Sequence, residues 1–132
     1  MQREGMNDIE TTLAPWLSVD DAQGAVDFYS AAFGAADAYR LDDDGRLAVA
    51  RLVLGAAEFW VQEDSEAAHE RREHEPIRLI LSVDDPDGVC RRAVAAGAEV
   101  VAPVSEDHGW RTGRIVDPFG HAWEISRQLD GA

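Results

Sequence analysis

The segment Leu17-Ser18-Val19-Asp20-Asp21-Ala22-Gln23-Gly24 returns as Leu81-Ser82-Val83-Asp84-Asp85-Pro86-Asp87-Gly88, the pattern L-S-V-D-D-x-x-G repeated at an offset of 64 in a chain of 132 residues. The echo extends beyond this identity. Phe33-Gly34-Ala35 answers Ala96-Gly97-Ala98, Arg51-Leu52-Val53 answers Arg114-Ile115-Val116, and Gly55-Ala56-Ala57 answers Gly120-His121-Ala122, at offsets of 63, 63 and 65. A period close to half the chain means two copies of one supersecondary unit. A chain of this length supports one compact domain with a real core and is too short for two independent ones, so the copies are expected to share a single domain over 1–132.

The hydrophobic share of 45% and four Trp fit a packed globular protein. The charge is lopsided, 26 Asp and Glu against 12 Lys and Arg, net −14. Such a chain is repelled by nucleic-acid backbones and anionic membrane surfaces, so neither is expected as a partner. The one cysteine, Cys90, has no internal disulfide partner. No apolar run reaches transmembrane length and MQREGMNDIE lacks a signal-peptide core, so the expected location is cytoplasmic.

Residues 1–10 read as a polar lead-in and 12–19 as a strand. Asp21 caps a helix whose stripe is Ala25, Phe28, Tyr29, Ala32 and Phe33, closed by Gly34. Three strands follow, over 36–41, 47–54 and 57–62, turning at Asp42-Asp43-Asp44-Gly45 and Gly55-Ala56. The three aspartates lack the spacing and closing Glu of a calcium loop. Residues 63–75 are a charged linker, where His69 and His74 read as solvated groups or, less simply, metal ligands. The second copy gives a strand over 77–83, a helix over 86–96 with Asp85 as cap and Pro86 at its first position, and strands over 99–101, 112–116 and 121–127. A loop with Pro103 and Gly109 precedes the last two strands, which are joined by the Asp117-Pro118-Phe119-Gly120 turn. Cys90 falls on the apolar helix face and reads as a small core residue.

Two β-α-β-β-β units of this size resemble the vicinal oxygen chelate superfamily, which holds glyoxalase I, bleomycin-resistance proteins, fosfomycin-resistance enzymes and extradiol dioxygenases. The resemblance is to its short bacterial glyoxalase-like branch. It rests on Val19-Asp20-Asp21 with Ala25-Val26-Asp27-Phe28-Tyr29 and Phe33-Gly34-Ala35, on Val83-Asp84-Asp85 with Ala95-Ala96-Gly97-Ala98, and on Asp117-Pro118-Phe119-Gly120-His121-Ala122-Trp123-Glu124-Ile125, close to the D-P-x-G-x-x-x-E signature. It implies an α+β fold in which units of about 12–62 and 76–127 curve into a cupped, eight-stranded mixed sheet. Helices pack outside, a small-molecule site lies inside, and the assembly is a homodimer.

Alternation along strands separates an apolar face (Leu17, Val19; Leu79, Leu81, Val83; Trp123, Ile125) from a mixed one (Ala14, Trp16, Ser18; Arg78, Ile80, Ser82; Ala122, Glu124, Ser126). Metal-dependent relatives carry four ligands on the inner face. The resemblance puts those positions on Ala14, near Phe59, on Arg78 and on Glu124, of which only Glu124 can ligate. No metal and no cofactor are therefore expected. The candidate ligand-binding residues are Trp16, Ser18, Phe59, Arg78, Ser82, Trp110, Arg111 and Glu124, with Trp110, Arg111 and His108 placed in a loop at the cup mouth. His108 and His121 can serve as acid or base near neutral pH, without a visible catalytic partner. The leading reading is a metal-free protein that sequesters an aromatic or cationic small molecule, as in antibiotic resistance of the bleomycin-binding kind. The alternative is a metal-dependent lyase, isomerase or dioxygenase of the same superfamily.

Overall fold

The computed structural model describes residues 11–67 and 77–129. The first unit runs β1 Trp16–Val19, α1 Ala22–Phe33, β2 Ala36–Asp43, β3 Arg46–Leu54 and β4 Ala57–Glu63; the second runs β5 Arg78–Ser82, α2 Pro86–Ala95, β6 Glu99–Asp107, β7 Trp110–Val116 and β8 Ala122–Gln128. The eight strands form two four-stranded mixed sheets of identical topology, ordered β1-β4-β3-β2 and β5-β8-β7-β6. The first and last strands of each unit pair in parallel, and the others are antiparallel. The 1–10 lead-in and most of the 63–75 linker, including His69 and His74, lie outside the described residues.

Each helix starts and stops where its chemistry dictates. The Asp21 carboxylate accepts from the Gly24 amide at 3.0 Å and Asp85 from Gly88 at 3.1 Å, each satisfying a first-turn N–H that has no helical partner. Gly34 ends α1 at φ 78°, a left-handed value that a side chain resists. The buried stripe of α1 is Ala22, Ala25, Val26, Phe28, Tyr29 and Ala32, and that of α2 includes Val89, Cys90 and Ala93. Burial raises the Cys90 thiol pKa, with the Asp87 charge adding to it, so this sulfur is a packed core atom rather than a nucleophile.

The units meet through aromatic side chains. Tyr29 and Phe33 of α1 lie against Trp123 of β8 at centroid distances of 5.6 and 4.7 Å, and Phe59 reaches Trp123 at 5.7 Å. Buried below them, the Asp117 carboxylate accepts from the Tyr29 hydroxyl, the Trp123 indole at 2.8 Å, and the Phe119 and His121 amides at 2.9 and 3.0 Å. One carboxylate thus satisfies donors from both units, as a buried charge requires.

The second unit departs from the sequence reading in one region. The loop expected around Pro103 is strand: β6 runs on to Asp107, and Trp110 and Arg111 open β7. Because β6 is an edge strand, Pro103 forfeits no ladder bond that matters, and bulges between Val100, Ala102 and Ser105 absorb the irregularity. His108-Gly109 is then a two-residue hairpin turn with positive φ at both positions (53° and 84°), matching Asp44-Gly45 (57° and 79°) in the first unit. His108 is a turn residue with an exposed side chain.

Candidate functional site

The ladder registers fix which side chains share the inner face. In the first unit Trp16 opposes Trp60, Ser18 opposes Gln62, and Arg51 opposes both Trp60 and Tyr39. Trp16 and Trp60 stack at 5.9 Å with 25° between planes, Tyr39 meets Trp60 edge-on at 5.9 Å, and the Arg51 guanidinium lies 5.9 Å from the Trp60 centroid. The Trp16 indole donates to the Gln62 side-chain oxygen at 3.0 Å, and Arg51 pairs with Glu58 at 3.1 Å. Trp16 keeps 52% of its surface exposed. An indole stacked on one side and bare on the other is a ready platform for a flat ligand.

In the second unit Ile80 opposes Glu124, Ser82 opposes Ser126, Arg114 opposes Glu124, and Thr112 opposes Ser126. Arg78 and Glu124 meet at 3.0 Å, their side chains 47% and 21% exposed. The Thr112 hydroxyl donates to that of Ser126 at 3.2 Å.

Between the sheets, edge strands β1 and β5 face each other across two cavities. One, of about 320 Å³, is bordered by Ala14, Glu58, Phe59, Leu79, Ile80 and Trp123 among others. The second, of about 230 Å³, is bordered by Trp16, Ser18, Ile77, Leu79, His121 and Ala122. His121 is buried, its Nε2 lying 2.9 Å from the Ser18 carbonyl; it bridges β1 to the turn before β8.

Of the sequence-derived candidates, Trp16 and Ser18 lie on the inner face of the first sheet, and Arg78, Ser82, Trp110 and Glu124 on that of the second. Two are placed elsewhere. Phe59 is 4% exposed and points toward the helices, because Phe59 and Val61 share the core side of β4 while Glu58, Trp60 and Gln62 share the inner side. The position equivalent to Glu124 is Trp60, at an offset of 64 rather than 65. Arg111 lies on the outer face, held by Asp87 of α2 at 2.7 and 2.8 Å and by Glu106 at 3.2 Å. These contacts raise the Arg111 pKa and lower that of Asp87.

Sequence reasoning missed Trp60, Arg51, Tyr39 and Arg114. The run Phe59-Trp60-Val61 is apolar throughout and hides its own alternation. Glu58 and Gln62, two residues either side of Trp60, carry the signal that would have assigned it to the wet face.

The metal-ligand positions implied by the resemblance therefore fall on Ala14, Trp60, Arg78 and Glu124. Alanine and indole offer no metal ligand, a guanidinium repels a cation, and Glu124 is engaged by Arg78. Among the described residues no group of three or more His, Cys, Asp or Glu side chains could hold a metal ion. The donor set does not fit a divalent cation.

Paired β-α-β-β-β units with an inner face of aromatic, hydroxyl and charged groups define a protein of the vicinal oxygen chelate superfamily. Within it, the chain belongs to the family described as the glyoxalase-like domain, whose profile matches residues 16–126. An uncharacterized protein of Mycobacterium bovis is 35% identical over 131 residues, covering 92% of this chain and 86% of its own. TioX from Micromonospora sp. ML1 is 28% identical with a TM-score of 0.73, covering 91% of this chain and 100% of its own. The fosfomycin resistance protein FosX from Listeria monocytogenes has a TM-score of 0.72 at 17% identity, covering 93% of this chain and 97% of its own, a likeness that shows the fold alone.

Proposed function

We propose that this protein binds and sequesters an organic small molecule without a metal. The observation that carries the reading is the fate of the four ligand positions: Ala14, Trp60, Arg78 and Glu124 supply one carboxylate, and a guanidinium already neutralises it. What stands in their place is an aromatic platform of Trp16 and Trp60 with placed polar groups, the composition of an organic-ligand pocket. His121, an acid–base candidate on this side, is buried with its Nε2 against the Ser18 carbonyl, a structural contact that ties β1 to the turn before β8. No helix of the described residues is long and apolar enough to cross a membrane.

The reading includes a cytoplasmic homodimer. Leu13, Ile77 and Ile80, 96%, 66% and 64% exposed, are large apolar side chains along the two facing sheet edges, and a second copy is the simplest cover for them. Sedimentation equilibrium checks the assembly.

The test combines metal analysis with binding. Protein purified without chelator or affinity tag should carry no stoichiometric zinc, nickel, manganese or iron, and flat aromatic compounds should quench its Trp fluorescence. In Arg78→Ala and Glu124→Ala, each made alone, binding should weaken while the melting temperature stays close to wild type, because the pair is open to solvent. About one equivalent of metal that withstands dialysis, or a large fall in melting temperature with affinity intact, overturns the reading.

A further inference from the structure

The two cavities between the sheets are one cavity written twice. The ladders align Trp16 with Trp60 and Ile80 with Glu124, which sets the repeat at an offset of 64 through these strands. At that offset every residue bordering the cavity of about 230 Å³ has a counterpart bordering the cavity of about 320 Å³, except that Ser82 does not repeat Ser18. Leu13 answers Ile77, Ile80 answers Trp16, and Ala57 answers His121.

The last of these pairs decides how the two differ. His121 is buried, and its imidazole stands in the wall of the smaller cavity with its Nε2 2.9 Å from the Ser18 carbonyl. Ala57 is exposed and brings only a methyl group to the larger one. The larger cavity therefore keeps free the room that a ring takes in its twin. Its deepest residues are Phe59 and Trp123, each 4% exposed and 5.7 Å apart, with Leu54, Leu79 and Leu81 around them. Among the described residues that border it, Glu58 is the one charged group, and Arg51 already holds that carboxylate at 3.1 Å.

We infer that the larger cavity is a binding site for a small, uncharged aromatic molecule of one or two rings. Ligand pockets run from about 300 to 1,000 Å³, and an apolar chamber at the lower end of that range is filled by a small ring more readily than by water. A cation would give up its hydration to a carboxylate that is already paired, and an anion would meet that carboxylate. The site is separate from the aromatic platform of the inner face, since neither Trp16 nor Trp60 borders it, and it does not rest on the sequestration reading. A second copy laid over the exposed Leu13 and Ile80 would enclose it.

Trp123 borders this cavity and Trp16 does not, so their indole N–H signals in a nitrogen-15 spectrum of the whole protein report the two places separately. Quinoline, uncharged near neutral pH, should move the Trp123 signal along a saturable curve. 1-Methylquinolinium and quinoline-2-carboxylate, the same two rings with a charge, should bind about tenfold more weakly or worse. Ala57→His, which restores the residue of the other unit, and the bulkier Ala57→Phe should each weaken quinoline by about tenfold or more, with the melting temperature retained. Ala31→His on the exposed side of α1 should change nothing. Quinoline that moves the Trp16 signal and leaves Trp123 still overturns this site while the sequestration reading stands. Trp123 silent to quinoline, as when a side chain of a second copy fills the cavity, overturns it as well. So does a charged probe that binds as tightly, or a Trp123 response untouched by both Ala57 variants.

Discussion

Glu63 shows how one side chain can serve two elements. Its Oε1 accepts from the Ala22 amide at 3.0 Å, at the start of α1, and its Oε2 accepts from Arg46 at 2.9 and 2.7 Å. The amide is the largest influence and Arg46 adds to it, so the carboxyl titrates below its ordinary value of 4.5. A carboxyl with a lowered folded-state pKa contributes stability that is fully present above 4.5 and is lost as pH falls through the folded value. Glu63→Gln should therefore be less stable than wild type at neutral pH, with the gap closing below that range. Urea unfolding of both proteins at neutral and strongly acidic pH measures this, and a gap that widens in acid contradicts it. None of this was visible in the sequence, where Glu63 reads as the first residue of a charged linker. Composition locates a charge but not the helix end it meets, since β1 and β4 become neighbours only through parallel pairing of residues far apart in the chain.

Elements were more legible than their faces. The caps at Asp21 and Asp85, the stop at Gly34 and the turns at Asp44-Gly45 and Gly55-Ala56 follow from local chemistry, and the structure has them there. Where the reading failed, in the loop expected at Pro103 and the inward placing of Phe59, the deciding facts are edge position and register, which belong to the sheet. Gly113 is of the same kind. A Cβ built there would stand 2.7 Å from Val104 Cγ2, 3.2 Å from the Val104 amide nitrogen and 3.3 Å from the Cys90 sulfur. The glycine lets β7 lie close beneath the bulged stretch of β6 and against α2. Gly113→Ala must push β6 or α2 outward, and a loss of about 1–3 kcal/mol is expected. Chemical denaturation decides: no loss would mean that the outer layer yields freely.

At the scale of the whole molecule, the units are joined by aromatic packing and one buried carboxylate rather than by a shared ladder. Asp117→Ala leaves the Tyr29 hydroxyl, the Trp123 indole and two backbone amides without their acceptor, and should cost about 3–5 kcal/mol. Tyr29→Phe removes one donor and should cost about 1–2 kcal/mol. Equal losses from the two would mean that the carboxylate matters only to the tyrosine. The repeat made this joint half-readable: Asp117 was evident as a turn former, while its reach to α1 of the other unit needed the tertiary structure. Among the described residues no ladder bond runs from β1 to β5, so the gap between them is spanned by side chains and by the His121 contact to Ser18. A slot closed in this way behaves like an expansion joint. Its width can follow the thickness of whatever enters without breaking the hydrogen bonds of either sheet.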